Sequence, residues 1–403
     1  MKIAGGFYRE EMLSPAHQAY LGSGLRAAAA LATTAPGIEL HAYVSAAEVP
    51  DFNAVCVAYG VQAHQHRRAV PIGFSYAHGC SRPVLEPDIR EIPKEAPLEV
   101  TGDAVLRFGF LEGSCVVNAK RAVYDPQSEI APEPFLQNGS TAKQWAIVLN
   151  VAEAEAFTGT TDPLKAARRL RKDQGCDVAV IKCGARGALV VTSTSHDWVP
   201  AYRTPSVFPL GSGDVFSATF AWHWAMKRAD PLTAAAKASR ATAFYCANRY
   251  LPLPLDVDRQ AKQYPPSEPR SGKSGMVYLA GPFFDVAQRW LIDELRHALL
   301  DQGLKVFSPI HDVGEGEATH VATKDLEGLR ASSVVLACLD GLDTGTVFEI
   351  GYARARNIQV ICLSTGPAVD ADKTMLVGTA CQFFRDVASA VYATAWLARG
   401  GKA

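Results

Sequence analysis

Short apolar runs that break into glycine turns and then into helix-forming segments recur along this chain. Val277-Tyr-Leu-Ala-Gly-Pro-Phe-Phe284 reads as a strand entering a Gly-Pro turn, followed by a helix from about Val286 to Leu300. Lys305-Val-Phe-Ser-Pro-Ile310 reads as a second strand and His311-Asp-Val-Gly-Glu-Gly as a polar loop. Asp325 then falls on a helix ahead of the strand Ser333-Val-Val-Leu-Ala-Cys338. Strand–helix alternation at this spacing predicts a parallel, doubly wound sheet whose sites gather at the carboxyl ends of its strands.

After that strand comes Asp343-Thr-Gly-Thr-Val-Phe-Glu349-Ile-Gly-Tyr-Ala353. The Gly-Thr turn opens a helix, and Glu349 is expected in its first turn. Exposed N–H groups and the helix dipole there would keep the acid ionised. An ionised, positioned carboxylate is what attack on a sugar's anomeric carbon needs. Each residue also has a plainer reading: Glu349 as a dipole-complementing surface acid, Phe283 and Phe284 as core, Asp325 as a solvated helix face. Three loops at one sheet edge carrying them together favours catalysis.

This region, roughly 275–400, resembles the nucleoside 2-deoxyribosyltransferase family and its nucleoside 5′-monophosphate N-glycosidase relatives. The matching residues are Tyr278-Leu-Ala-Gly281-Pro-Phe-Phe284, Phe307-Ser-Pro309 with His311-Asp312, Asp325, and Asp343-x-Gly-x-x-x-Glu349-x-Gly-x-Ala353. The resemblance implies a flavodoxin/Rossmann-like domain without a cofactor, in which Glu349 is the nucleophile. Asp325 and Asp343 would contact the base and help protonate the departing nitrogen. Phe283 and Phe284 would stack on base or sugar, with Tyr278, Gly281 and His311 also at the substrate. Lys373 stands where the family commonly has an Asn near the sugar's 5′ end, and a lysine there would pair with a 5′-phosphate. The acceptor stays open: another base makes a transferase, water a hydrolase.

At 403 residues the chain has room for a second domain. Pro252 to Gly275, dense in proline, serine and glycine, marks the boundary, giving domains at 1–260 and 276–400 joined by a linker at 261–275. The Ser-Gly-Lys-Ser within it lacks a preceding strand and reads as linker rather than phosphate loop. The first domain is again α/β. Lys2-Ile-Ala-Gly-Gly6 opens with a strand, and Val178 to Thr192 is two strands joined by a tight glycine turn. Pro209-Leu-Gly211-Ser-Gly213-Asp214 then leads into a long apolar helix, Ser217 to Met226. Glycines at a helix N-terminus let backbone N–H groups approach a phosphate, and Asp214 beside them could take a proton from a hydroxyl.

Those residues resemble the ribokinase/PfkB family of sugar and nucleoside kinases, together with Gly5-Gly6, Gly22-Ser-Gly24, Asp125, Asn150-Val-Ala-Glu153 and Gly184-Ala-Arg-Gly187. The resemblance implies a ribokinase-like fold using ATP and Mg2+, with Asp214 as catalytic base and Gly211, Ser212 and Gly213 as anion hole. Asn150 and Glu153 would organise magnesium and phosphate without a direct protein ligand to the metal, and Glu10 would hold sugar hydroxyls. Three departures stand out. Phe208 replaces a usual Asp, Arg26 replaces a usual Asn, and the short segment Met12 to Leu21 leaves the usual lid reduced or absent.

A net charge of −1 with 48% apolar and 20% charged residues allows full cores and gives no sign of a nucleic-acid or membrane surface. No run approaches the ~20 apolar residues of a membrane span, and Met1-Lys-Ile-Ala-Gly-Gly starts a strand rather than a signal peptide. The nine cysteines show no C-x-x-C pair and read as buried reduced thiols of a cytoplasmic protein. The histidines show no metal spacing, and His64-Gln-His66 reads as a polar loop. The expected partner is a small-molecule nucleoside or nucleotide, and the expected assembly a homo-oligomer, with the apolar-rich helix 383–398 packing on its own sheet. Three functions fit: a bifunctional glycosyl-bond enzyme and kinase, a glycosidase with an inactive kinase-like module, or a non-catalytic nucleotide sensor.

Overall fold

A computed structural model describes residues 1–267, 274–366 and 374–400. The chain divides into two units, one of residues 1–77, 82–204 and 208–266, the other of 78–81, 205–207 and 267–403.

The first unit is built on a nine-stranded sheet. From edge to edge it runs His196–Val199, Ala188–Val191, Val178–Lys182, Thr141–Asn150, Cys115–Asp125, Leu98–Phe108, Lys2–Ala4, Glu39–Ser45 and Gln62–Arg68. Ala188–Val191 runs antiparallel to both neighbours, making the expected hairpin with Val178–Lys182, and the other pairs are parallel. Side-chain alternation sends Val148 to one core with Phe216 and Phe220, and Ile147 and Leu149 to another with Leu170. Apolar residues at successive positions are what a sheet covered on both faces needs.

Strand order reverses at Lys2–Ala4, and Gly5-Gly6, Asp125, Asn150 and Lys182 all lie at the carboxyl ends of parallel strands. The two glycine motifs there meet. Gly24 N–H donates to the Gly6 carbonyl at 3.0 Å, and a Cβ on Gly24 would lie 2.5 Å from the Gly5 carbonyl carbon. Helix Gly22–Leu31 therefore approaches the first strand backbone to backbone.

Two expectations fail in this unit. Instead of a reduced or absent lid, a separate four-stranded sheet forms, ordered His17–Tyr20, Arg9–Ser14, Gly73–His78 and Val84–Glu86. His64-Gln-His66 is not a loop but part of strand Gln62–Arg68, at the edge of the large sheet. Polar side chains suit an edge strand, which has one side unpaired. Ala261 and Tyr264, within the span read as linker, are buried beside Tyr202 and Ala243.

The second unit holds five parallel strands in the order Lys305–Phe307, Met276–Ala280, Val334–Cys338, Gln359–Leu363 and Gln382–Phe384. Numbered along the chain this is 2-1-3-4-5, the flavodoxin-like order, whose switch point lies between Met276–Ala280 and Val334–Cys338. The second strand stops at Phe307, shorter than expected, because Ser308-Pro309 starts a short helix, Pro309–Asp312. Proline's fixed φ suits a first helical position, so His311 and Asp312 are helical rather than in a loop. Residues 382–384 form the last strand, and the helix after it, Val387–Ala398, packs against its own sheet. Among the described residues no helix is long and apolar enough to cross a membrane.

Replacing Gly24 with Ala forces a methyl into the Gly5 backbone. We expect a loss of about 1–3 kcal/mol, read as a lower denaturation midpoint in urea; an unchanged midpoint would show that the two backbones can separate without cost.

Candidate functional site

Asp343 caps helix Thr344–Ala355. Its Oδ2 accepts the Thr346 N–H at 2.7 Å and the Thr346 hydroxyl at 2.9 Å. Counting from that cap puts Glu349 in the second turn, not the first, so its carboxylate is not at the free N–H groups of the helix end. The expectation of an acid held ionised by the dipole is overturned. Burial pushes the Glu349 carboxyl up to about 7; the Tyr278 hydroxyl works against that, while the charges of Asp325 and Asp343 add to it.

Tyr278 ends in a hydrogen bond to Glu349 Oε1 at 2.5 Å. The ring is fully buried and stacks on Phe307, 5.6 Å between centroids. Burial, then the Glu349 charge, hold its phenol well above the ordinary range, so it stays a donor. Asp325, on helix Ala318–Ala331, is raised by burial, and its Oδ1 is buried without a hydrogen-bond partner.

The other residues of this group are less uniform. Gly281 is required by close approach, since a Cβ there would lie 2.5 Å from Ile292 Cδ1 and 2.9 Å from Cys338 Cβ. Phe283 and Phe284 lie 5.1 Å apart, with Phe284 71% exposed, which is not a core position. His311 is held within its own region, Nε2 on Asp293 at 2.9 Å and Nδ1 on Ser308 Oγ at 3.0 Å. Burial, then Arg296 and Arg289, lower its pKa. Lys373 lies outside the described residues. One residue escaped the sequence reading: Asp340 accepts the N–H groups of Thr365 at 3.0 Å and Gly366 at 3.1 Å, tying two strand-end loops together. Its place two residues past the strand Val334–Cys338 was the available signal.

In the first unit, Gly211 sits at φ 74° and caps helix Ser212–Ala221, which continues as a wider turn, Trp222–Met226. The helix thus starts before Ser217 and places Asp214 in its first turn. Both oxygens of Asp214 are occupied, Oδ2 by Arg26 Nη1 at 2.9 Å and Oδ1 by Gln127 Nε2 at 2.7 Å. The same guanidinium grips Glu10 with Nη1 at 3.1 Å and with Nη2. Arg26, Glu10 and Asp214 are 1%, 4% and 6% exposed. Burial raises Asp214 to about 6; Arg26 opposes the rise and Asp125 adds to it. Glu10, expected at sugar hydroxyls, thus forms an ion pair instead of presenting a bare carboxylate.

Beside it, Asp125 Oδ2 accepts from Lys182 Nζ and Ser217 Oγ, each at 2.7 Å. Burial, then the Asp125 charge, push Glu153 to about 8. Asn150 and Glu153 cap helix Val151–Thr158 reciprocally: Asn150 N–H donates to Glu153 Oε2 at 2.7 Å and Glu153 N–H to Asn150 Oδ1 at 2.8 Å. This set does not fit a direct magnesium site, because the Lys182 ammonium already meets the most buried carboxylate and the other two residues hold each other. Gly187, at φ 101°, would clash with the Val199 carbonyl at 2.0 Å if it bore a Cβ, while Gly184 at φ 54° opens the same hairpin turn. Phe208 is buried with Met12 and Tyr245, a core position that needs no carboxylate.

Residues 117–252 match the model of the pfkB family carbohydrate kinases and residues 277–376 that of nucleoside 2-deoxyribosyltransferases. Curated relatives include the deoxyribokinases of Salmonella typhi and Salmonella typhimurium, each 36% identical over 101 residues, 24% of this chain. The chain spans 33% of the length of these relatives. Similar solved structures include ribokinase from Thermotoga maritima, 14% identical over 65% of this chain and 98% of that one, TM-score 0.47. Another is the Methanocaldococcus jannaschii nucleoside kinase, 12% identical over 65% and 98%, TM-score 0.47. The chain joins a PfkB-type kinase domain to a nucleoside 2-deoxyribosyltransferase-family domain.

Proposed function

We propose that this chain is a bifunctional enzyme of nucleoside metabolism, whose C-terminal domain cleaves or transfers the N-glycosidic bond of a (deoxy)nucleoside or its 5′-monophosphate. The observation that carries the reading is the 2.5 Å hydrogen bond from Tyr278 to Glu349 at the switch point of a parallel sheet. A Glu349 oxygen attacks the anomeric carbon while the bond to the base nitrogen breaks, and its electron pair leaves with the base. Asp325, whose burial makes it hold a proton longer than an exposed acid, supplies the proton to that nitrogen, and Asp343 is the other carboxylate whose charge reaches Glu349. The glycosyl-enzyme ester then passes the sugar to a second base or to water. Phe283 and Phe284 offer aromatic faces to the base.

In the N-terminal domain, Asp214 would take the proton of a nucleoside or sugar hydroxyl as ATP transfers its phosphoryl group, with Gly211, Ser212 and Gly213 around the transferred charge. Magnesium would arrive on the nucleotide. A second reading rests on the occupied oxygens of Asp214: a base held by Arg26 and Gln127 is not free to accept a proton, which fits a nucleotide-binding module without turnover.

Mass-spectrometric turnover of nucleosides and their 5′-monophosphates, with and without a second base and Mg-ATP, tests both domains. Base release or exchange is expected, and Glu349→Ala should lower it by ~10³-fold or more with the fold intact; unchanged turnover would remove Glu349 as nucleophile. The acid limb of kcat/KM should fall near pH 7, since the ionised Glu349 is the reactive form and burial sets its carboxyl at about 7. Removing the hydroxyl that favours the ionised form, in Tyr278→Phe, should move that limb to higher pH, and a limb that stays put would detach it from Glu349. Asp214→Asn should eliminate ATP-dependent mass gain and leave base release untouched. No phosphorylation by the wild type would select the second reading.

A further inference from the structure

The edge of the large sheet gathers Glu39, His41 and His64, each offering one ligand atom, with all three atoms within 4.8 Å of one another. Strand pairing produces this. His41 and His64 are direct partners across parallel strands Glu39–Ser45 and Gln62–Arg68, and Glu39 lies two residues before His41 on the same face. The two imidazoles stack face to face, 4.4 Å between centroids and 7° between planes. His64 Nε2 already lies 3.4 Å from Glu39 Oε2. Two nitrogens bound to one zinc at Zn–N of about 2.0–2.1 Å sit roughly 3.3 Å apart, each with its in-plane lone pair aimed at the metal, so the exposed His64 has to turn its ring out of the stack to complete the set.

A second observation points to a ligand. Both ring nitrogens of His41 are buried without a hydrogen-bond partner, as is Nε2 of the neighbouring His66, whose ring lies 5.9 Å from that of His41. Burying imidazole nitrogens unpaired costs free energy unless something meets them. Lys2, on the adjoining strand, holds Glu39 Oε2 at 3.0 Å and competes for it.

We propose that Glu39, His41 and His64 bind a borderline divalent cation such as Zn2+, with His66 or water completing the shell and the metal clipping the edge strand to its neighbour. The donor set of two imidazoles and a carboxylate is one that zinc accepts. The site shares no residue with the Asp214 site of the same unit, and its role is to pin Gln62–Arg68 to its strand partner.

The test is calorimetric titration of Zn2+ into chelator-stripped full-length protein, beside His64→Ala and Glu39→Gln variants. The nine cysteines provide a background that all three proteins share. Wild type should bind one equivalent that His64→Ala lacks, and Glu39→Gln should bind it at least tenfold more weakly. Lys2→Met should tighten it by freeing Glu39. Zinc should also raise the melting temperature of wild type and not of His64→Ala, whose side chain is exposed and whose loss leaves the apo fold unchanged. Equal stoichiometry and affinity in wild type and His64→Ala would overturn the proposal, as would an equal thermal shift in both.

Discussion

Taking a carboxylate out of water is costly unless a partner or a proton compensates it, and both domains withdraw carboxylates from water, on a strand end at Asp125 and in the opening turns of helices at Asp214 and Glu349. The compensation differs from site to site. Asp125 is met by the Lys182 ammonium and Asp214 by the Arg26 guanidinium. Glu349 is met by a neutral phenol, Tyr278. A cation favours the ionised form and holds it in place, although burial still carries Asp214 up to about 6. A phenol stabilises the charge less, leaves the Glu349 carboxyl at about 7, and in the reaction proposed above would move aside at lower cost. Glu349 is therefore held less firmly than Asp125 and Asp214, which are already committed to cations.

Much of the fold was legible because strands such as Val178–Lys182 and Val334–Cys338 are short, apolar and closed by turn residues. The 2-1-3-4-5 order was not written in any one strand: every parallel pair needs a crossover, and the side on which the next strand joins depends on packing between segments distant in sequence. Glu349 was identifiable as a residue, yet its turn was misjudged, because the helix begins where the Asp343 side chain takes the Thr346 N–H rather than at the glycine turn. The small sheet escaped for another reason. Residues 12–21 show only part of one hairpin, and the strands that extend it, Gly73–His78 and Val84–Glu86, arrive some way along the chain. Polar composition disguised His64-Gln-His66 in the same way: an edge strand resembles a loop until its partner is known.

Long-range ion pairs were the least visible. Arg26 stood out as a departure from a family pattern, but its partner Asp214 lies 188 positions away. A second buried arginine network also joins segments outside any local pattern, 20 and 44 positions apart. Arg68 reaches Glu48 at 2.6 Å and Glu112 at 3.1 Å, and Tyr8 donates to the second of these at 2.8 Å. No local period or motif announces such contacts, since each depends on topology bringing distant strand ends together.

The Arg26 pair also changes what the Gly-Ser-Gly-Asp signature means. A Cβ on Gly211 would lie 2.1 Å from Arg26 Nε, so the residue that opens an anion hole in a phosphoryl-transfer site is here also the residue that admits a guanidinium. Its φ of 74° gives glycine a second, conformational reason to be there. The motif is thus compatible with two different occupants of one space, a developing phosphate charge or a buried ion pair. Restoring the family's Asn at position 26 would not choose between them. It would remove the single cation shared by Glu10 and Asp214, leaving two buried acids facing one another at a cost of about 3–5 kcal/mol. Phe208 compounds this, because it fills with apolar surface a position where the family's Asp would be solvated or paired. The departures are mutually dependent, and the competence of this domain rests on whether substrate can displace Arg26 from Asp214.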